Sequence, residues 1–241
     1  MSWTQENLPL IGELTLNHTR LAVIPIVASF VLSIPLGWLA NRNRVLRAVV
    51  IGGGSLLYTI PSLPLFVILP LIIPTRVLDE TNLVVALTIY GVAVMARSAS
   101  DALASVEPAT IDASTAVGFS PAARFFRVEL PLAGPVLLAG IRVVSVSTIA
   151  LVSVGVIIGS ANLGYLFQNG KQRGILEEVV VGIVISLLLA LLFDLIILLI
   201  GRILMPWNRD TSGRRGERGP RRSRPRVDLA GYDTRIKTAD V

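Results

Sequence analysis

The chain has 241 residues, of which 53% are hydrophobic and 16% charged, with a mean hydropathy of +0.71; that balance excludes an ordinary soluble domain and reads as a membrane protein. The absence of cysteine excludes disulfide scaffolds, thiolate metal sites and cysteine nucleophiles. The net charge of +6 sits mostly in one appendage: from Trp207 onward ten basic residues stand against five acidic ones, so the tail carries +5 and the body is nearly neutral.

The N-terminus, MSWTQENLPLIGELTLNHTR, has neither a basic leader region nor a small-residue cleavage site and is expected to be retained. Leu8, Ile11 and Leu14 fall at helical spacing behind Trp3, which predicts a short amphipathic helix within residues 1–20 lying at a membrane surface. His18 then stands at the edge of the first apolar run as an interfacial residue. Leu21 to Ala40 is long enough to cross a hydrocarbon core about 30 Å thick, with Pro25 and Pro35 as expected kinks. Asn41-Arg42-Asn43-Arg44, with Arg47 nearby, ends it in a basic loop. Val45 to Ile73 is too long for one span and too short for two with a turn. Broken by Gly52-Gly53-Gly54, Pro61, Pro64 and Pro70, it reads as one interrupted crossing. Leu83 to Ala96 is the third crossing, Leu132 to Ile158 the fourth and Val179 to Ile200 the fifth, with the polar loop Gly159 to Glu178 between the last two.

Between the third and fourth crossings lies a mixed polar and apolar insert, IDASTAVGFSPAARFFRVELP, from Ile111 to Pro131. Glu107-Pro108 places proline in a first helical turn, and Gly118 suits a left-handed helix cap. Ser120 is a good N-cap and Pro121 a good first helical residue, so a second short helix is expected to run until Pro131 stops it.

Charge sets the orientation. With five crossings, eighteen of the basic residues share one side, and only Arg20, Arg76, Lys171 and Arg173 lie on the other. The basic side is expected to be cytoplasmic, which puts the N-terminus outside and the C-terminus inside. The tail over 207–241, rich in Arg, Gly, Pro and Ser, reads as disordered and attracted to anionic lipid. Nucleic acid is not an expected partner, because no aromatic residues interleave with the arginines of 209–226.

No constellation for catalysis appears. There is no GxxxxGK[ST] phosphate loop, no paired carboxylates at a useful spacing, and no reason to expect a metal or cofactor. Asp194, the only ionisable residue inside the fifth crossing, is a pathway candidate by default, with pairing to Arg142 or Arg202 as the plainer reading. Tyr58, Thr59, Pro61 and Ser62, followed by Phe66, put hydroxyls, aromatics and a proline break at membrane depth. Such backbone is tolerated only against protein or water, so this stretch is either a pathway lining or a kinked packing helix. In the fourth crossing Ser145, Ser147, Thr148, Ser153, Gly155 and Gly159 form a small, hydroxylic series suited to close helix packing.

The insert resembles the coupling loop of permease subunits of ABC importers. The family pattern is Glu-Ala-Ala, three residues, Gly, nine residues, then an aliphatic residue, any residue, Leu and Pro. Here Asp112, Ala113, Ser114, Gly118, Val128, Leu130 and Pro131 occupy it, with Asp for Glu and Ser for the second Ala. The segment Tyr58-Thr59-Ile60-Pro61-Ser62-Leu63 and the turn Ile158 to Gly164 resemble the subgroup for quaternary-amine osmoprotectants. The resemblance covers about residues 16–206. It implies an all-α membrane protein with about five transmembrane helices of the type I importer permease fold and a cytoplasmic coupling helix within the loop 101–131. It also implies a second permease subunit, two cytoplasmic ATP-binding subunits that hydrolyse ATP, and an extracytoplasmic binding protein. The alternatives are a permease for another small solute, an ion-coupled secondary transporter using Asp194, and a membrane scaffold recruited through the tail.

Overall fold

The first apolar run folds as a single long helix. The structure, a computed structural model, describes residues 2–76 and 79–209, and the described residues up to Pro206 form one compact unit. α1 (Ser2–Glu6) is one short helix, and after Asn7 the helix α2 runs unbroken from Leu8 to Ala40. The segment 8–20 is therefore continuous with the first crossing rather than set apart as a surface helix. Nothing between Leu8 and Leu21 breaks a helix, since Pro9 falls in the first turn, where a missing N–H costs nothing. The helix also continues through Pro25 and Pro35.

Next come α3 (Arg44–Arg47), a π-helical turn over Ala48–Gly52, α4 (Gly53–Thr59) and α5 (Ser62–Ile72). The two arms Arg44–Thr59 and Ser62–Ile72 meet at 108°. Two anchor points show that they nevertheless traverse the bundle. Asn41 and Ser100 exchange hydrogen bonds of 2.8 Å at one end, and Arg20 meets Glu80 at 3.4 Å at the other. Those ends lie 21 residues apart along α2, about 31 Å at helical rise. The chain between Asn41 and Glu80 thus passes from one end to the other as one interrupted crossing, which with the four long apolar helices makes up to five crossings among the described residues.

α6 (Glu80–Ala104) is followed by α7 (Pro108–Ala116), α8 (Pro121–Arg124), a π-helical turn over Phe125–Glu129 and α9 (Leu130–Val152), which tightens into a 3₁₀ stretch over Ser153–Ile158. The polar loop between the last two crossings is itself helical as α10 (Gly164–Arg173), and α11 (Leu176–Leu204) follows it. Among the described residues no strand occurs. Of the expected basic tail only 207–209 are described, within a short 3₁₀ turn over Pro206–Arg209; the rest lies outside the described residues.

α2, α6 and α9 pack together at the centre, α4 and α5 lie on α6, and α11 packs on α9 and α10. Lipid is as apolar as leucine, so close approach of backbones matters more here than apolar burial. A Cβ on Gly37 would come within 2.6 Å of the Ala99 Cβ, and one on Gly91 within 2.7 Å of Ser29, so small residues fix the α2 and α6 contact. Gly155 serves similarly, its side against Leu83.

His18 is fully buried rather than interfacial. Its Nδ1 accepts the Leu163 N–H at 3.3 Å, which leaves Nε2 to donate to the Ile149 carbonyl at 3.0 Å. One neutral imidazole thereby ties α2, α9 and the loop before α10.

Candidate coupling hairpin and translocation segment

The insert between α6 and α9 is a closed hairpin of two helices. α7 ends in the expected way: the Gly118 N–H bonds the Thr115 carbonyl at 3.0 Å and the Phe119 N–H bonds the Ser114 carbonyl at 3.2 Å. This paired cap needs a left-handed residue at its turn, and Gly118 has φ +98°. Ser120 then caps α8, its hydroxyl accepting the Ala123 N–H at 3.3 Å.

Pro131 does not stop the second helix. A proline at 131 lacks the N–H that an α-helix would send to Arg127, and its ring crowds that carbonyl. The chain answers by widening to a π turn, in which the Leu130 N–H reaches the Phe125 carbonyl. α8 therefore runs on into α9, and the hairpin is joined to the fourth crossing without a loop.

Arg124 locks the hairpin. Its Nη1 donates to Thr115 Oγ1 on α7 at 2.9 Å, and its Nε donates to Glu129 Oε1 at 2.7 Å. The Arg124 and Glu129 partners are five apart, so the usual three- or four-residue spacing rule misses them; the π turn brings them together. Phe125 sits edge-on to Trp38 with ring centres 6.4 Å apart, and the Arg42 guanidinium lies 4.3 Å from the Trp38 ring centre. Through these contacts the hairpin abuts the end of α2.

The motif residues separate into two groups. Asp112, Ala113 and Gly118 are exposed and available to a partner, beside the more exposed Val117. Ser114 is buried, its hydroxyl donating to the Ile111 carbonyl at 2.7 Å. Val128, Leu130 and Pro131 are half-buried, and Leu130 packs against the core. The inner group shapes the hairpin and the outer group presents it.

The pathway candidates are likewise divided. The chain breaks between α4 and α5 at Ile60 and Pro61, and Tyr58, Thr59, Ile60 and Pro61 are exposed, with Tyr58 at 48%. Ser62 is half-buried. The freed Ile60 carbonyl accepts the Tyr90 hydroxyl at 2.6 Å, and the Tyr58 and Tyr90 rings meet edge to face at 5.8 Å. Phe66 is 0% exposed and belongs to the core cluster, where it packs α5 against the bundle. Asp194 takes the plainer reading. Arg142 clamps it with two hydrogen bonds, Nε to Oδ1 at 2.6 Å and Nη2 to Oδ2 at 2.9 Å, which joins α9 to α11.

The arrangement is that of a multi-span helical bundle carrying a structured hairpin at one end. Residues 19–209 match the family described as binding-protein-dependent transport system inner membrane component, and the chain belongs to that family. It is a permease subunit of an ABC importer. It is 30% identical over 194 residues to the osmoprotectant import permease protein OsmW of Salmonella typhimurium, covering 78% of this chain and 89% of that one. It is 27% identical over 190 residues to the glycine betaine/carnitine/choline transport system permease protein OpuCD of Bacillus subtilis, covering 78% and 82%. The fold also matches an inward-facing structure of the MetNI methionine ABC transporter with a TM-score of 0.70 at 21% identity, covering 83% of this chain and 98% of the other.

Proposed function

We propose that this permease moves quaternary-amine osmoprotectants of the glycine betaine, carnitine and choline type, and that residues 107–131 receive the ATP-driven stroke. The observation that carries the coupling reading is the hairpin itself: a glycine-capped, arginine-locked pair of helices with Asp112, Ala113 and Gly118 exposed, continuous with a membrane-crossing helix. Two cytoplasmic ATP-binding subunits hydrolyse ATP and push on that surface, and a second permease subunit completes the pathway. An extracytoplasmic binding protein delivers the cargo. The N-terminus is outside and the C-terminus cytoplasmic, a reading that the distribution of arginines supports. Because α9 starts at the hairpin without a flexible joint, displacement of the hairpin is displacement of the fourth crossing. The exposed break at Tyr58 to Pro61 lines the pathway or the seam with the second permease, since irregular backbone at that depth has to meet water or protein.

Gly118→Asp tests the coupling role. A side chain at φ +98° costs about 1–3 kcal/mol of local strain and adds charge to the presented face. Uptake is expected to vanish while the protein still reaches the membrane at normal level; unimpaired uptake overturns the reading. Cargo is tested separately, by competing glycine betaine, choline and carnitine against labelled glycine betaine in cells with the whole system. Competition by all three supports the class, and indifference to all three assigns another solute.

The ion-coupled alternative loses ground to one observation. Both Asp194 oxygens are engaged by Arg142, so the carboxylate is a structural partner between α9 and α11.

A further inference from the structure

At the Asn41 end of the bundle, three guanidinium groups surround one opening. A cavity of about 550 Å³ is lined by Arg44, Arg47, Arg97, Asp101 and Ile51 among others. Arg47 is engaged there, its Nη1 donating to Asn41 Oδ1 and its Nη2 to Asp101 Oδ1, both at 3.1 Å. Among the described residues Arg44 and Arg97 have no hydrogen-bond or ion-pair partner. One carboxylate thus answers three cations, and the cavity wall keeps a surplus of two positive charges.

A second opening adjoins the first and has the opposite character. A cleft of about 430 Å³ is lined by Leu36, Val49, Gly53, Leu57 and Ala96, with only Thr88 as a polar neighbour. The two share the π-helical turn Ala48–Gly52, with Ala48, Ile51 and Gly52 lining the first and Val49 and Val50 the second, and they meet again at Ala96 and Arg97 on α6. The flanking surface of the same segment is apolar and open, with Val45 at 71% and Val49 at 64% exposure. Arg97 lies four residues before Asp101 in α6, about 6 Å further from the helix end at helical rise. The charge therefore reaches to the depth at which apolar lining begins.

We infer that these paired cavities form a binding site for an anionic phospholipid, its phosphate held by Arg44 and Arg97 and an acyl chain lying in the cleft against Leu36 and Val49. Guanidinium matches phosphate through parallel N–H donors, and the surplus charge favours an anion. A free anion would leave the apolar cleft unused. An acidic protein surface would leave Val45 and Val49 uncovered beside it. Only an amphipathic anion satisfies both walls. The site does not depend on which solute is carried, and it does not involve the coupling hairpin.

The test uses the full chain purified in a neutral detergent, with thermal unfolding followed as dioctanoyl phosphatidylglycerol, dioctanoyl phosphatidylcholine or inorganic phosphate is added. Phosphatidylglycerol is expected to raise the midpoint saturably, phosphatidylcholine more weakly, and inorganic phosphate not at all at the same concentration. Each arginine contributes about fivefold in affinity, so Arg44→Gln combined with Arg97→Gln should weaken the phosphatidylglycerol response about thirtyfold. Gly53→Leu keeps every arginine and fills the cleft, where a new Cβ meets nothing within 4 Å, so it serves if the arginine variant fails to fold. It too should weaken the response. An undiminished response in both variants overturns the site, as does an equal response to inorganic phosphate. Loss of a co-purifying ATP-binding subunit from the arginine variant, with the lipid response intact, would assign the patch to protein docking instead.

Discussion

The coupling hairpin and the broken second crossing are both interruptions of helix, yet they are held in opposite ways. The hairpin is closed on itself: Gly118 and Ser120 cap its two helices, Arg124 crosses between them, and Ser114 bonds back to Ile111. The break between α4 and α5 is open. One hydroxyl, from Tyr90, reaches the freed Ile60 carbonyl, while Tyr58, Thr59 and Pro61 remain exposed. A part that transmits force gains from being stiff, and a part that admits cargo gains from few internal ties. The difference in bonding matches the division of labour proposed above.

The two regions should therefore respond differently to loss of a tie. After Gly118→Asp, the largest effect is expected from Arg124→Gln. It removes the donor to both Thr115 and Glu129, about 2 kcal/mol for charged hydrogen bonds in a partly exposed site. A slack hairpin delivers less of each stroke, so uptake per ATP hydrolysed should fall several-fold in the reconstituted transporter, with cargo affinity unchanged. If the ratio of transport to hydrolysis stays normal, stiffness is not what the hairpin contributes.

Tyr90→Phe probes the other side of the contrast. It keeps the ring against Tyr58 and deletes the one hydrogen bond to Ile60, about 1 kcal/mol. Here the expectation is a changed apparent KM for cargo, about fivefold or less, with coupling intact. A loss of coupling equal to that of Arg124→Gln would erase the distinction between the regions.

Much of this was legible in residues, and the exceptions have physical causes. Gly118, Ser120 and Pro121 announced the hairpin because caps are local: each acts within a turn on its own backbone. The interrupted crossing was readable from Pro61, where the helix does break; Gly52 to Gly54, Pro64 and Pro70, also expected as breaks, lie within continuous helix. Pro131 misled, because proline forbids one hydrogen bond and not a helix, and a π turn supplies another route. The Arg124 to Glu129 tie follows from that turn and is invisible to the usual helical spacing. His18 looked interfacial because nothing in sequence joins it to Ile149 and Leu163, more than a hundred residues away. Phe66 and Asp194 were ambiguous for the same reason: whether a side chain meets a path, a core or an arginine is decided by tertiary contacts.

The smallest expected effect lies where the broken crossing hands over to α6. Asp79 caps that helix, its carboxylate accepting the Thr81 N–H at 2.8 Å, and this bond holds the carboxyl below its usual range. A depressed acid stabilises the fold above its unfolded pKa of about 3.9, and that contribution disappears as pH falls through the lower folded value. Asparagine caps nearly as well but does not titrate. Asp79→Asn should therefore match the wild type closely at neutral pH and lack the small acid-side decline in thermal midpoint that the wild type shows once pH drops below about 4. Identical acid limbs in the two proteins would mean that this cap contributes nothing to how α6 is seated.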